Sequence, residues 1–169
     1  MNDTYVECLV ERKANPFSVL IKAAMIALCA VLFILSFLGM PFLLIVAVII
    51  GALSAYFVFP MLSIEYEYLY LDKEITIDRI MSKQKRKRET VLDLTKMELL
   101  APAGSHEFDS YLNRNVKIKD YSSGIEGQGH KAYYLAYHDE NSEMLVKIEP
   151  DEDMLKAVKL IAPRKVRDF

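Results

Sequence analysis

The sequence predicts a transmembrane α-helical hairpin followed by a small, mainly-β domain that closes with an amphipathic helix. Three observations support this fold class. No charged side chain occurs from Ala23 to Ile64, a stretch of 42 residues. Beyond that stretch, apolar and polar residues alternate with the period of two that is typical of β-strands. Near the end, apolar residues from Met154 onwards recur at helical spacing instead.

The uncharged stretch is too long for one bilayer crossing and fits two, because a hydrocarbon core of ~30 Å needs ~20 apolar residues per helix. Gly39-Met40-Pro41, near its middle, are residues that interrupt a helix. We therefore predict helices at 19–38 and 41–62. The chain then divides into three parts: a cytoplasmic leader at 1–18, a transmembrane hairpin at 19–62 and a cytoplasmic domain at 63–169.

Basic residues near the membrane ends predict the orientation of the hairpin, because such residues are enriched on the cytoplasmic side. None lies at the tip of the hairpin. Several flank its two outer ends: Arg12, Lys13, Lys22, Lys73, Arg79 and Lys83. We expect a multi-pass protein of the cell membrane with both termini in the cytoplasm.

The leader mixes apolar residues with charged ones at roughly helical spacing. The apolar residues are Tyr5, Val6, Leu9 and Val10. Two interpretations fit this pattern, a short helix at the membrane interface and a loosely ordered segment.

Small residues recur every four positions in the second predicted helix, at Ala47, Gly51 and Ala55. Such a stripe lets two helices approach closely, and Ala23 and Ala27 offer a matching surface on the first helix. The stripe is interpreted either as the packing seam inside one hairpin or as the seam of a homodimer. Because no ionisable residue lies within the span, we expect an anchor rather than an ion pathway.

The remaining 105 residues have the charge content of a soluble domain. Only three basic and three acidic side chains precede Glu65, so this part holds 18 of the 21 basic and 20 of the 23 acidic residues. Seven short strands are predicted: 64–70, 75–78, 88–94, 96–101, 116–121, 132–138 and 144–149. Their close spacing favours an antiparallel meander curled into a sandwich or barrel. An amphipathic helix is predicted at 151–162, and a loop with one helical turn at 104–114.

Two aromatic stripes indicate where the core of this domain lies. Tyr66, Tyr68 and Tyr70 share one face of the first strand and are predicted to be core. The strand at 132–138 is apolar on both faces, so it is either central or a partner-binding edge.

Seven strands followed by one C-terminal helix resemble a pleckstrin-homology-like (PH-like) domain. Two segments are similar to the opening of that domain in bacterial membrane-anchored proteins: Ile64-Glu65-Tyr66-Glu67-Tyr68 and Leu71-Asp72-Lys73-Glu74-Ile75-Thr76-Ile77. Three more resemble a small family of two-pass proteins from Gram-positive anaerobes: Glu7-Cys8-Leu9-Val10, Ile77-Asp78-Arg79-Ile80 and Ala101-Pro102-Ala103-Gly104-Ser105. The resemblance implies a seven-stranded antiparallel barrel and a membrane location. It implies no activity and no functional residues.

One basic run is a candidate contact with the membrane surface. It comprises Lys83, Lys85, Arg86, Lys87 and Arg88. The first strand leaves the membrane and the second returns, so a loop at 83–88 is expected near the lipid headgroups. Anionic lipid attracts each nearby basic residue by ~1 kcal/mol. The alternative is a solvated loop that only sets the topology.

Composition and spacing argue against several other classes of function. A net charge of −2 gives no reason to expect nucleic acid as a partner. Cys8 and Cys29 are too few for a zinc site and are not expected to pair. The histidines lack metal-ligand spacing: His106, His130 and His138. We expect no metal, no cofactor and no catalytic centre.

The sequence therefore favours a non-catalytic membrane protein whose PH-like domain recruits or scaffolds a protein partner. The barrel edges and the loops at 104–114 and 122–130 are the expected contact surfaces. Two alternatives remain: sensing of anionic lipid through residues 83–88, and an enzyme whose active site the sequence does not reveal.

Overall fold

The computed structural model describes residues 5–13, 16–83, 85–125, 127, 130–139 and 142–167. The chain forms two compact units. The helical unit comprises Lys13–Ile64 and Ile80–Lys85. The β domain comprises Met1–Arg12, Glu65–Arg79 and Arg86–Phe169.

The helical unit contains two long apolar helical segments joined by a turn at Gly39, where φ is +103°. Helix α1 runs over Pro16–Phe37. The second segment consists of α2 (Phe42–Leu53), a π-helical turn (Ser54–Val58) and α3 (Phe59–Leu62). The π-turn ends two residues before Pro60, which has no backbone N–H to donate. Wider turns of this kind accommodate such interruptions. Among the described residues, one helix, α1, is long and apolar enough to cross a membrane, while the apolar stretch Phe42–Val58 is shorter.

The first sheet of the β domain has the strand order β1-β2-β3-β4. The strands are β1 (Val6–Glu11), β2 (Ile64–Leu71), β3 (Glu74–Met81) and β4 (Lys85–Asp93). Strand β1 pairs antiparallel with β2, with Cys8 opposite Tyr68 and Val10 opposite Tyr66. The predictions of an interfacial helix or a loosely ordered leader are therefore wrong for Val6–Glu11. Cys8 and Val10 face inward while Glu7 and Glu11 face solvent, so the true period of this segment is two.

The second sheet has the order β5-β7-β8-β6. Its strands are β5 (Met97–Pro102), β6 (Lys117–Asp120), β7 (Tyr133–Asp139) and β8 (Ser142–Ile148). Strand β6 pairs parallel with β8, so the sheet is mixed rather than antiparallel. The described residues thus form eight strands in two four-stranded sheets instead of one closed seven-stranded barrel. The eighth strand is β1, which the sequence-based count omitted.

The predicted core faces are confirmed. Tyr66, Tyr68 and Tyr70 are all buried. Strand β7 lies between β5 and β8 and is buried on both faces, with Leu135 and Ala136 fully covered. Its double apolar stripe therefore marks a central strand and not a partner-binding edge.

A second small core lies on the face of the second sheet that carries Ala136, which is opposite the face that carries Leu135. Phe108 packs there with Ala101, Ala136 and Leu145. Phe108 belongs to a short helical stretch that continues into α4 (Asp109–Asn113), which confirms the helical turn predicted within 104–114. This segment is thus held to the domain by a buried aromatic side chain.

The helix α5 (Glu152–Ile161) follows the second sheet, in agreement with the predicted helix. The carboxylate of Asp151 caps it by accepting a hydrogen bond from Met154 N–H at 2.8 Å. Beyond the helix, Leu100 N–H donates to Lys165 O and Arg167 N–H donates to Leu100 O, both at 2.8 Å. These bonds cover the otherwise open edge of β5.

Candidate functional site

The basic run is mostly strand and not loop. Lys85–Arg88 begin β4, and the turn before them includes Ser82 and Lys83, which both have positive φ; Gln84 lies outside the described residues. The prediction of a loop at 83–88 is therefore wrong for residues 85–88. A run of charges indicates exposure to water, but it does not distinguish a loop from a strand at the edge of a sheet.

Two arginines of the run neutralise buried carboxylates of the same sheet. Glu67 on β2 and Asp78 on β3 are each only 4% exposed. The Arg86 guanidinium forms ion pairs with Glu67 and with Asp78 Oδ2, the second at 3.6 Å. Arg88 Nε lies 3.7 Å from Asp78 Oδ1. These ion pairs link β4 to β2 and β3. Loss of an arginine would leave a buried carboxylate without a partner, which is strongly destabilising.

The two lysines at the start of the run belong to the helical unit. Lys85 Nζ lies 4.2 Å from the centre of the Tyr56 ring, a cation–π contact. The turn that carries Lys83 is tied to the end of α3, because Ser82 N–H donates to Ser63 O at 2.9 Å. Lys22 Nζ donates to the hydroxyl of Ser63 at 3.1 Å. Two parts of the chain, the start of α1 and the turn after β3, thus bring lysines to the end of the second helical segment.

The remaining member, Lys87, is an exposed residue of β4. The predicted run therefore contains two kinds of residue. Arg86 and Arg88 have structural partners within the β domain, whereas Lys83 and Lys85 lie in the helical unit. Contact of any of these side chains with lipid remains a prediction.

The small-residue stripe of the second helix faces α1 over part of its length. Ala47 is buried, and a Cβ added to Gly51 would lie 3.9 Å from Cys29 Sγ. Ala55 is exposed, as are Ala23 and Ala27, so the alanines of α1 are not the matching surface. An open cavity of about 420 Å³ lies beside this seam, and Cys29, Phe33, Leu44 and Ala47 contribute to its lining.

A buried polar cluster surrounds Glu149, between β8 and α5. Glu149 Oε1 accepts hydrogen bonds from the backbone and the hydroxyl of Ser123, at 3.1 and 2.8 Å. Its Oε2 lies 3.3 Å from His130 Nδ1. Close by, the Tyr68 hydroxyl donates to Tyr121 O at 2.6 Å, and burial raises the pKa of this phenol. Burial also raises the pKa of the Cys8 thiol, which donates to Glu149 O.

This cluster has the residue types of a hydrolase triad but not the required arrangement. In such a triad the histidine accepts the proton of the serine, and the carboxylate orients the histidine. Here the carboxylate lies between the other two groups, and the Ser123 hydroxyl donates to Glu149 itself. The arrangement holds the start of the segment 122–130 against β8 rather than activating Ser123.

The other histidines are not gathered into a site. His106 Nδ1 lies 3.3 Å from Asp109 Oδ2 on the surface, and the backbone N–H of His138 donates to Lys96 O. Within the part of the chain that the structure describes, no group of three or more potential ligands is placed to hold a metal ion.

Sequence reasoning missed both networks of buried carboxylates. Glu67 lies on the face of β2 opposite Tyr66 and Tyr68, and strand periodicity alone assigns it no partner. One signal was available: acidic residues on β2 and β3 precede a strand with alternating arginines, which is the pattern of cross-strand ion pairs. The Glu149 cluster had no such signal, because its members lie far apart in sequence.

Comparison with known proteins identifies the fold family. No curated protein matches the chain, and no solved structure matches it. The family described as Bacterial PH-like domain (DUF6106) matches residues 2–168. Since the match covers nearly the whole length, the chain belongs to this bacterial PH-like domain family.

Proposed function

We propose that the protein is held in a membrane by its two apolar helical segments and presents its PH-like domain as a non-catalytic module that recruits or scaffolds a protein partner. PH-like domains are generally binding modules without catalytic activity. The observation that carries the membrane part of the proposal is the inverted packing of the helical unit.

In this unit the large apolar side chains point outward. Phe17 is 71% exposed, and Ile34, Ile45 and Phe57 are also well exposed. A water-soluble protein rarely exposes so large an apolar surface. The covered positions are small or polar, among them Ala47 and Ser54. Packing of small residues inside and large apolar residues outside suits helices surrounded by lipid.

The serines of this unit satisfy their hydroxyls without water. Ser36 Oγ donates to Phe33 O, and Ser54 Oγ donates to Ile50 O, both at 2.6 Å. Bonds of this kind remove the cost of placing a hydroxyl in hydrocarbon. They support a lipid environment for both helical segments.

Length supports two crossings. At 1.5 Å per residue, the 22 residues of α1 extend about 33 Å, and the continuous helical path 42–62 extends about 31 Å. Both values match a hydrocarbon core of ~30 Å. The lysines near the end of the second segment, and their absence from the Gly39 turn, favour a cytoplasmic location for both termini.

The anchor is tested by fractionation of cells that produce the full chain. We expect the protein to remain in the membrane pellet after alkaline extraction and to be released by detergent. A variant with Ile26→Asp and Leu53→Asp, which lie near the middle of the two segments, should lose this behaviour, because each acidic residue at a helix centre costs about 3 kcal/mol on insertion. Release of the unaltered protein by alkali would contradict the proposal.

The recruiting role is tested by cross-linking in the native membrane followed by purification of the full chain. A discrete partner should be enriched relative to a chain that contains only residues 1–64. Equal recovery of every protein from both samples would contradict recruitment and leave the anchor unaffected.

A second candidate function is binding of anionic lipid at the membrane surface. The observation that favours it is that Lys85 lies against Tyr56, while Lys22 and the turn that carries Lys83 are both bonded to Ser63 in the same helical unit. Lysine and tyrosine together are typical of membrane interfaces. Arg86 and Arg88 do not belong in the test, because their loss would leave buried carboxylates unpaired.

The test therefore compares two double variants. The first combines Lys83→Gln with Lys85→Gln, and the control combines Lys117→Gln with Lys119→Gln on β6. The full chain would be reconstituted in nanodiscs of phosphatidylcholine with or without phosphatidylglycerol. We expect the first variant alone to lose enrichment of phosphatidylglycerol around the protein. Equal lipid composition around both variants would reject this function.

A further inference from the structure

The β domain contains an open pocket that the proposed function does not yet use. Its volume is about 400 Å³, and it lies between the β2–β3 turn, the β4–β5 turn and the segment after α5. Its lining includes Lys73, Leu94, Thr95, Ile161, Arg164 and Lys165. The pocket thus combines three cationic residues with an apolar floor.

Direct hydrogen bonds join the three segments that form the walls. Leu94 N–H donates to Lys73 O at 2.8 Å, which links the two turns. Lys165 Nζ donates to Met97 O at 2.6 Å and to Thr95 O at 3.3 Å, which links the segment after α5 to the β4–β5 turn. The pocket is therefore formed before any ligand arrives, as binding sites usually are.

Two of the cations make no ion pair among the residues that the structure describes, although Lys73 lies close enough to Asp93 for its charge to help lower the pKa of that carboxyl. Lys165 is occupied by backbone carbonyls, but the side chains of Lys73 and Arg164 are exposed and make no hydrogen bond or ion pair there. Arg164 follows the negative end of α5 and offsets it. Lys73 comes from a distant turn and holds a left-handed φ of +69°, which is unfavourable for a lysine. Both charges are available to an anion.

The surroundings favour an anion of single charge with an apolar neighbour. Thr95 donates its backbone N–H and its hydroxyl to Asp93 Oδ1, at 2.8 and 2.7 Å, and these bonds lower the pKa of Asp93. This ionised carboxylate lies outside the lining but next to Leu94 and Thr95, and it repels a phosphate, with a charge near −2, more than a carboxylate. Leu94 is buried beneath the pocket and Ile161 is part-exposed beside it, so an apolar side chain has a surface to cover.

We propose that this pocket binds an acidic peptide segment of a protein partner. One carboxylate lies between Lys73 and Arg164, and an adjacent apolar side chain covers Leu94 and Ile161. The inference rests on the proposed recruiting role and gives that role a contact surface. It differs from the surfaces expected from the sequence, which are the barrel edges and the loops at 104–114 and 122–130.

The test measures binding of a defined probe to the full chain in detergent micelles. The probe is a fluorescent peptide with one Glu-Leu pair in an otherwise uncharged sequence of Gly and Ser, and its matched control has Gln at the Glu position. The pocket variant is Lys73→Gln with Arg164→Gln. The control variant, Lys117→Gln with Lys131→Gln, removes the same charge from exposed positions outside the pocket.

We expect the acidic peptide to bind the unaltered chain and the control variant equally. The pocket variant should bind about tenfold more weakly, with about threefold from each cation. The Gln peptide should not bind, and the affinity should fall as salt rises. Unchanged thermal unfolding of the pocket variant would show that it still folds.

Several results would overturn the proposal. These are equal binding of the two peptides, equal affinity of the two variants, no binding of the acidic peptide, and displacement of the peptide by inorganic phosphate. Binding of anionic phosphatidylglycerol vesicles that depends on Lys73 and Arg164 would assign the pocket to lipid instead.

Failure of this inference is distinguishable from failure of the recruiting role. If cross-linking captures the same partner with the pocket variant and with the unaltered chain, recruitment stands and the pocket is not the contact. If neither captures a partner, the recruiting role itself fails.

Discussion

The β domain and the helical unit place their large apolar side chains on opposite sides. In the β domain Tyr68, Ile75 and Leu135 are completely covered, and charged residues occupy the surface. In the helical unit Phe17 and Ile45 are 71% and 62% exposed, while serine and alanine are among the covered residues. The first arrangement is typical of a domain surrounded by water, and the second is the one that the proposed membrane anchor requires.

This contrast explains why the two units respond differently to the same kind of substitution. The interior of the β domain is closely packed, so removal of a buried methyl group leaves a cavity. In the helical unit the outward side chains contact solvent or lipid, which fills any space that a smaller residue leaves. Changes at buried sites of the β domain should therefore have larger effects on stability than changes on the outward face of the helices.

Deletion of residues 1–12 should have the largest effect on the β domain, although these residues precede the helices in sequence. The deletion removes β1, and with it the buried Cys8 and Val10 and the pairing with β2. We expect a loss of about 5 kcal/mol or more in the free energy of unfolding. Limited proteolysis and urea unfolding of the full chain in micelles would measure it. Deletion of residues 1–4 is the control, and equal stability of the two chains would show that β1 is dispensable.

A matched pair of truncations compares the two units directly. Leu135→Ala in the β domain should cost about 3 kcal/mol, because the site is fully buried between two strands. Ile45→Ala in the helical unit should cost less than about 0.5 kcal/mol, since that side chain is exposed. Urea unfolding followed by near-ultraviolet circular dichroism would report both. Equal costs would mean that the outward face of α2 is packed against protein.

Local periodicity was enough to predict most of the fold. The tyrosine stripe of β2, the two apolar faces of β7 and the helix after Pro150 each follow from residues close together in sequence. Strand β1 does not follow, because its partner β2 begins more than 50 residues later, beyond both helices. A six-residue segment with Leu9 on its exposed face has a period too weak to separate a strand from a helix.

The candidate sites were harder to predict for a related reason. The run at 83–88 was visible as charge, but only the pairing of strands shows that Arg86 and Arg88 meet Glu67 and Asp78. The pocket at Lys73 unites three segments that are separated by about 20 and about 65 residues of chain. Sequence spacing does not indicate such a meeting.

Arg86→Gln and Lys87→Gln separate the two kinds of basic residue in β4. Loss of Arg86 leaves Glu67 without its cation, and we expect a cost of about 2 kcal/mol. This is below the value for fully buried pairs, because the side chain of Arg86 is 52% exposed. Loss of the exposed Lys87 should change stability by less than about 0.5 kcal/mol. Thermal unfolding of the two variants would show the difference, and adding Glu67→Gln to Arg86→Gln should recover part of the loss.

The smallest predicted effect concerns pH and the phenol of Tyr111. Burial and a hydrogen bond of 2.6 Å to Glu98 raise the pKa of Tyr111 to about 12 in the folded domain. The unfolded chain releases this proton near pH ~10, so the folded state binds it more tightly. The stabilising contribution is therefore complete below pH ~10 and is lost as the pH rises through about 12.

Tyr111→Phe removes this titration. At about pH 8 the variant should be less stable than the unaltered chain by up to about 1 kcal/mol, the value of one hydrogen bond. By about pH 11 the difference should shrink, because the unaltered chain is losing its advantage there. Urea unfolding at the two pH values would measure both gaps. Tyr56→Phe, which alters the helical unit, is the control, and a constant gap for Tyr111→Phe would show that the raised pKa does not contribute to the stability of the β domain.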